Sequence, residues 1–398
     1  MKFLYVSSVS SSRQYSGILK KIAGQTEAVG RLGWKAHYVY LDGDSVILHT
    51  GTGDSQRRDF AHGLRWRKRQ EAVTQAVCAI LSENGYDAVY IKGFLATPYG
   101  LEIASCAKHA NPACRVIYEV ATYPYWGEYR RYFRDDWKNH DFQSFAGHVL
   151  EVLQHFSAAP RMKGRTDAVV VFGQPIKRLW GIPAVTVDNG ITVDRIGMRQ
   201  NGMPAPGSAI HLLGVAGTSV AHGYSRILEG MAQYRNGRPS GSPDIFFDIV
   251  GGNETIRALK AQADELGLAK EIHFLGYRSS EELAKLYGVC DAAVSSLGAY
   301  RLGLKYLCPL KSREYCAAGI PFLYAYEDTL PADAPFALKL PNDPSPVKME
   351  TVARFVENCR KNPQIALQER KYAEEHYDWK IIMKRVLAFA GAAVDENH

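Results

Sequence analysis

The seven cysteines of this 398-residue chain, at 78, 106, 114, 290, 308, 316 and 359, include no CxxC pair and are odd in number. A disulfide framework or a zinc site is therefore not expected, and a reducing compartment fits the count. Long hydrophobic runs are also missing. No stretch approaches the ~18 apolar residues that cross a bilayer. The apolar run at residues 3–6 is too short for the core of a signal peptide and reads as a first strand. Neither GxGxxG nor GxxxxGK[ST] follows that strand, which excludes a dinucleotide fingerprint and a P-loop. Solenoid-period repeats and any nucleic-acid-binding module are absent as well. The expectation is a cytoplasmic protein, at most touching the inner face of the membrane, with no nucleic-acid partner and no metal.

What is present is ordinary for a globular protein: 46% hydrophobic residues, 22% charged residues and a net charge of +7. The basic balance permits an anionic partner without selecting one. Single cores stop growing near ~250–300 residues, so two domains are expected. In the first half, strand-like runs KFLYVSS, AHYVYLD, DAVYIKG, RVIYEVA and DAVVVFG alternate with helical patterns at 17–32, 68–83 and 101–110. A Gly- and Pro-rich stretch, MRQNGMPAPGS at 198–208, reads as a linker. The alternation then restarts with IHLLGVA, DIFFDIVGG, EIHFLG, DAAVSSL and IPFLYAY. Strands alternating with helices imply parallel sheets covered by helices. The fold class is α/β, with two doubly wound Rossmann-like domains facing across a cleft, and such sheets bind ligands at the carboxyl ends of their strands.

The segment PLKSREYCAAGIP places Pro309 before a helix and Gly319 after it, so Lys311 and Arg313 fall near its first turn. A basic first turn opposes the helix macrodipole. It makes sense where an anion sits, because free N–H groups, dipole and lysine all favour phosphate. Glu314 is placed to accept hydroxyl hydrogen bonds from a ribose; a solvent-facing charged turn is the alternative. The strand-to-helix turn at Gly276, Tyr277 and Arg278 exposes backbone amides where a base can be gripped, and Gly251-Gly252 ends another strand. Gly17, at the first helix start, lets a ligand approach the backbone.

Several of these pieces, in this order, resemble the retaining glycosyl transferases group 1 on the GT-B fold. They are DNGI (188–191), FDIVGG (247–252), IHFLGYRSSEELAKLYGVCDAAVSSL (272–297), LKSREYCAAGIPFL (310–323) and HYDWKIIMKRV (376–386). The first half matches more loosely, at 16–33 and 118–129. The resemblance implies an acceptor-binding domain at 1–200, a nucleotide-sugar-binding domain at 201–375, and a helix at 376–398 that returns to the first domain. It also implies a hexosyltransferase that uses a nucleoside-diphosphate sugar as co-substrate, with no further cofactor. Glu314 matches the second Glu of the family's E-x7-E motif, 276–278 the base-contacting loop, and Gly17 the glycine region near diphosphate and acceptor. Three positions depart from the pattern: Tyr306 replaces the first Glu, and Ala216 and His222 stand where Arg and Lys are usual. Lys311, Arg301 or Arg313 is left to supply the positive charge. Tyr123 and Glu119 occupy the neighbourhood of the catalytic region of the first domain.

Two aromatic and basic stretches suit an acceptor carried at an anionic membrane surface: AHGLRWRKRQ with Trp66 and Arg67, and the 123–142 stretch with Trp126 and Arg130. A saccharide or lipid-linked saccharide acceptor follows; a solvated basic face and a packed lid are the alternative. The rivals are a metal-dependent transferase using Asp42-Gly43-Asp44, which reads better as a tight turn, a sugar-nucleotide epimerase on the same fold, and a non-catalytic two-domain binding protein.

Overall fold

The computed structural model describes residues 1–12, 15–51, 53–93, 95–215, 220–252 and 254–393 of the chain. They form two compact units: residues 1–188 together with those from Trp379 onward, and residues 189–378. The division falls earlier than the 200/201 boundary expected from the sequence. Arg199 shows why. Its backbone N–H donates to Ala318 O at 2.9 Å, and its buried guanidinium donates to the carbonyls of Asn201 and Cys290 at 3.0 and 3.2 Å. A buried guanidinium needs such acceptors, so the Gly- and Pro-rich stretch is anchored within the second unit.

The first unit opens with β1 (Lys2–Ser10), α1 (Ser16–Arg31), β2 (Lys35–Asp42), β3 (Ser45–His49) and β4 (Ser55–Asp59). Next come α2 (Trp66–Asn84), β5 (Ala88–Gly93), α3 (Pro98–Ala110), β6 (Arg115–Tyr123), α4 (Trp126–Lys138) and α5 (Phe142–Met162). β7 (Ala168–Gly173), β8 (Arg178–Leu179) and β9 (Ile182–Val187) complete a sheet of order β4-β3-β2-β1-β5-β6-β7-β9-β8. Its centre is parallel and buried on both faces, which is why these strands read as continuous apolar runs rather than alternating ones. β2 turns into antiparallel β3 through Asp42-Gly43-Asp44, with Gly43 at φ +56°, the tight turn expected there.

The second unit contains β10 (Ile210–Val215), α6 (Ser225–Gly237), β11 (Ile245–Val250), α7 (Glu254–Glu265), β12 (Ile272–Gly276) and α8 (Ser280–Val289). It continues with β13 (Ala292–Val294), α9 (Leu310–Ala318), β14 (Phe322–Tyr324), β15 (Ala337–Lys339), α10 (Met349–Arg360) and α11 (Ile365–His376). The sheet order β12-β11-β10-β13-β14-β15 is all parallel. Strand order therefore reverses between β10 and β13, and that switch point is where doubly wound sheets take their ligands. α8 starts on the expected capping box, Ser279 with Glu282. α9 stops at Gly319, whose φ of +70° suits glycine. Finally, α12 (Trp379–Phe389) packs on α1 in the first unit, burying Trp379, Ile382 and Met383.

One expectation fails in the first unit. Cys78 on α2 and Cys106 on α3 are joined as a disulfide, with Cα atoms 5.6 Å apart. The pair is 28 residues apart in sequence and meets only because the two helices are neighbours, so no spacing motif reveals it.

Candidate functional site

Two chain reversals meet at the carboxyl edge of β10 and β13. After β10, a short 3-10 turn at Val220–His222 leads through Gly223 into α6. Gly223 has φ +61°, and a Cβ there would sit 2.6 Å from the backbone N of Gly298. Only glycine fits so close a backbone approach. The approach is held by Leu297 N donating to His222 O at 3.0 Å and Gly298 N donating to Ala221 O at 2.9 Å. Ala216, compared with a basic family position above, lies outside the described residues.

Lys311 is the second residue of α9, where a cation opposes the dipole. Its Nζ lies 2.9 Å from His222 Nδ1, donates to Tyr224 Oη at 3.2 Å and stands 5.1 Å from the Tyr224 ring centre. The Tyr224 hydroxyl in turn lies 3.0 and 3.1 Å from the carbonyl oxygens of Val215 and Val294, the ends of β10 and β13. Lys311 is therefore held over the switch point itself. Burial pushes its ammonium down to about 7. Burial, and after it the charge of Lys311, pushes His222 down to about 3. The imidazole is neutral at pH 7 and accepts from the lysine.

Arg301 contacts the same turn. Its Nη2 donates to Ser225 Oγ, at the start of α6, at 2.7 Å, and its Nε donates to Tyr300 Oη at 3.0 Å. Two cations thus contact residues 222–225. Glu314, half-buried, is three residues after Lys311 on α9 and so shares its face. Along the same strand edge, Gly276 turns the chain at φ +71° and the Tyr277 hydroxyl donates to the Gly252 carbonyl. A Cβ on Gly252 would meet the Tyr277 ring at 3.0 Å. Arg278 is paired with Glu282 at 3.4 Å, and Tyr277 is 76% exposed. Gly252, Gly276, Tyr277 and Arg278 are therefore one cluster, on the strands next to Lys311 and His222.

Arg313 is a correction. It is fully buried and bidentate to Asp328 at 2.7 and 2.9 Å, with its guanidinium 4.2 Å from the Tyr377 ring centre. Two residues on from Lys311, it points to the opposite side of the helix, into the core. It holds α9 in place and does not reach a donor.

The first unit separates its expected residues. Glu119, on β6, is entirely buried rather than open to substrate. Its carboxylate accepts from Tyr5 and Tyr90 at 3.0 and 2.8 Å, from Lys92 at 2.8 Å and from Lys21 at 3.4 Å. Burial pushes its pKa up, but Lys21, Lys92 and these hydrogen bonds outweigh burial and hold it well below the carboxylate range. Such a group is a permanent anion, not a general base for a substrate. Tyr123 ends β6 with its ring edge-on to Tyr125. Gly17 is exposed in the first turn of α1 with open space around it.

A cavity of about 680 Å³ opens in this unit above the ends of β1 and β5. Trp66, Val77, Tyr99 and Ile103 wall it with apolar surface, Trp66 standing edge-on to Tyr99. Lys92, Glu128, His148 and Glu151 give it polar corners. Its size is in the range of sites for small ligands. Sequence reading missed the cavity because its far wall is the inner side of α4 and α5, which carry no simple helix signature. Arg67 stays outside it. Arg67 and Lys68 share Glu71, at 3.2 and 2.9 Å, so one charge of that basic run is offset locally. Trp126 and Arg130 lie exposed on α4. His222, a departure from the family pattern that the sequence nevertheless offers as a donor-binding candidate, does stand against Lys311, and Tyr224, which no sequence signal marks, is the site residue that the fold adds.

Residues 212–325 match the family described as glycosyl transferases group 1. That span includes His222, Gly252, Tyr277, Arg301, Lys311 and Glu314. No curated protein sequence is significantly similar to the chain. Among solved structures, a glycosyltransferase from Rickettsia africae superposes with a TM-score of 0.63 at 12% identity, over 98% of this chain and 97% of that one. The catalytic domain of starch synthase IV from Arabidopsis thaliana, bound to ADP and acarbose, gives 0.62 at 11% identity, over 98% of each chain. A trehalose-6-phosphate structure from E. coli, bound with UDP-2-fluoro glucose, gives 0.58 at 12% identity, over 99% of this chain and 100% of that one. At such identities the likeness is one of fold, the two Rossmann-like domains of GT-B.

Proposed function

We propose that this glycosyltransferase of the group 1 type moves a sugar from a nucleoside-diphosphate sugar to a saccharide or lipid-linked saccharide acceptor, with retention at the anomeric carbon and without a metal ion. The observation that carries the proposal is the Lys311 ammonium at the N-terminus of α9, over the β10/β13 switch point. A half-buried cation at a positive helix end costs stability, and binding an anion there offsets that cost.

The diphosphate is assigned to Lys311, Arg301 and the N-terminal end of α9. The ribose is assigned to Glu314, and the base to the edge formed by Gly252, Gly276 and Tyr277. As the bond between the anomeric carbon and the phosphate oxygen breaks, negative charge grows on the diphosphate and positive charge on the sugar. Preplaced positive groups stabilise that separation without reorganising. The acceptor hydroxyl oxygen forms the new bond to the anomeric carbon, and its proton passes to the departing diphosphate. The cavity beside Trp66 is assigned to the acceptor, its apolar wall receiving hydrophobic portions and Glu128 and Glu151 receiving hydroxyls.

Release of nucleoside diphosphate from a panel of UDP-, ADP- and GDP-sugars, measured with and without a strong chelator, tests the reading. At least one donor should turn over, and the chelator should leave the rate unchanged. Turnover of none would contradict donor use, and loss with chelator would contradict metal independence.

A further inference from the structure

The outer face of the α4–α5 hairpin is not used by the proposed sugar transfer. α5 is 21 residues long, about 30 Å at helical rise. Its inner side, with His155, Ala158 and Met162, packs on the core. Its outer side presents Phe142, Val149, Leu150, Leu153 and Phe156, each more than a third exposed, with Phe142 at 63%. Exposed positions on α5 from Phe142 to Pro160 include no Asp, Glu, Lys or Arg. Soluble monomers rarely leave a charge-free stripe of this extent to water.

α4 continues that surface with a different chemistry. Trp126 stacks on Phe156 at 5.9 Å, and Trp137 meets Phe142 edge-on at 6.3 Å, at opposite ends of the hairpin. Between the two tryptophans, at i+4 and i+8 from Trp126, stand exposed Arg130 and Arg134, and Lys138 follows. Most acids of the hairpin are engaged elsewhere. Asp136 pairs with His148, Asp141 caps α5 through Ser144, and Glu128 and Glu151 line the cavity. Asp135 takes up Arg134, which leaves Arg130 and Lys138 to carry the outward charge. The outward charge is thus basic, and it is flanked by tryptophans beside an apolar helix face.

We propose that this face docks on an anionic lipid bilayer, with α5 lying in the interfacial plane. Phe142, Leu150, Leu153 and Phe156 enter the acyl boundary, while Arg130 and Lys138 meet phosphate headgroups. Aliphatic and aromatic side chains on one face with arginine and tryptophan at the rim are the composition that binds there. The same hairpin walls the cavity from inside through Tyr129, His148 and Glu151. Docking therefore brings the cavity close to the membrane surface. The proposal does not depend on the identity of the donor.

Vesicle flotation tests it with the full chain. Vesicles of equal parts phosphatidylglycerol and phosphatidylcholine are compared with pure phosphatidylcholine, and sedimentation velocity is run in parallel without lipid. The wild type should float with the anionic vesicles, and more weakly at ~1 M salt, where surface charge is screened. The double variant Leu150→Glu, Leu153→Glu should lose binding roughly tenfold or more, and Arg130→Glu with Lys138→Glu should act in the same direction. These side chains are exposed, so melting temperatures should be unchanged. Failure of the wild type to float overturns the proposal, as does equal flotation of the leucine variants. A stable dimer that the leucine variants dissociate also overturns it, because a second copy would then cover the face.

Discussion

Lys311 Nζ and His222 Nδ1 are 2.9 Å apart, although 89 residues separate them in the chain. The lysine comes from the helix before β14 and the histidine from the turn after β10, and the strand crossover brings them together. Burial pushes the histidine down to about 3 and the lysine down to about 7. A neutral imidazole thus steadies an ammonium that is easily discharged in the empty site and recharged when an anion arrives.

Lys311→Met should lower kcat by about 10²–10³-fold, the scale for losing one preplaced group that stabilises developing charge. Its melting temperature should equal or exceed that of the wild type, because the variant removes a poorly solvated cation from a helix N-terminus. Steady-state kinetics with a thermal melt checks both, and near wild-type turnover would contradict the role.

The lysine also gives a pH signature. A bound diphosphate favours the charged form, so Lys311 takes up a proton on binding. Affinity should be flat below about pH 7 and fall as pH rises above it, up to ~10-fold per pH unit, and Lys311→Met should remove that fall. Without ligand the sign is opposite. The folded state holds Lys311 at about 7 against ~10.4 in the unfolded chain, so it binds fewer protons than the unfolded chain. The contribution of this group to stability should rise with pH across that window. Titration calorimetry and denaturant unfolding at several pH values read the two effects.

Arg313 and Asp328 form a fully buried bidentate pair. Removing one partner leaves an uncompensated buried charge, so Arg313→Met or Asp328→Leu alone should cost about 3–5 kcal/mol, and the double variant should recover much of that. Denaturant unfolding measures the costs. The folded fraction of each variant should keep the KM for donor; a raised KM at full stability would return Arg313 to the donor site.

Glu119 lies beneath Lys21 and Lys92. Its carboxyl is held below the usual range, so the stability it contributes is present above ~4.3, the unfolded value, and is lost as pH falls further. Acid unfolding followed by circular dichroism should show a steeper loss of stability for the wild type than for Glu119→Gln. Parallel curves would show that the pairs contribute nothing.

Much of the architecture is legible before folding. Strand-helix alternation gives the parallel centre of the first sheet and the all-parallel second sheet, Ser279 with Glu282 marks the start of α8, and Pro309 and Gly319 bracket α9. The fate of Arg313 was legible too, since a residue at i+2 from Lys311 faces away from it on a helix. Other features depend on contacts that no local pattern encodes. His222 meets Lys311, and Cys78 meets Cys106, only through helix and strand neighbours. Glu119 looks like a functional carboxylate in a strand until Lys21 and Lys92, brought from α1 and β5, neutralise it. The α4–α5 hairpin was obscured because its aromatic residues face both the cavity and the outside, which blurs helical periodicity.

Calorimetric titration of UDP, ADP and GDP into the wild type and Lys311→Met, near pH 7, tests the central claim most directly. The account expects saturable one-site binding of at least one diphosphate to the wild type, and binding weakened tenfold or more in the variant. Absence of binding by all three, or equal affinity in a folded Lys311→Met variant, would contradict it.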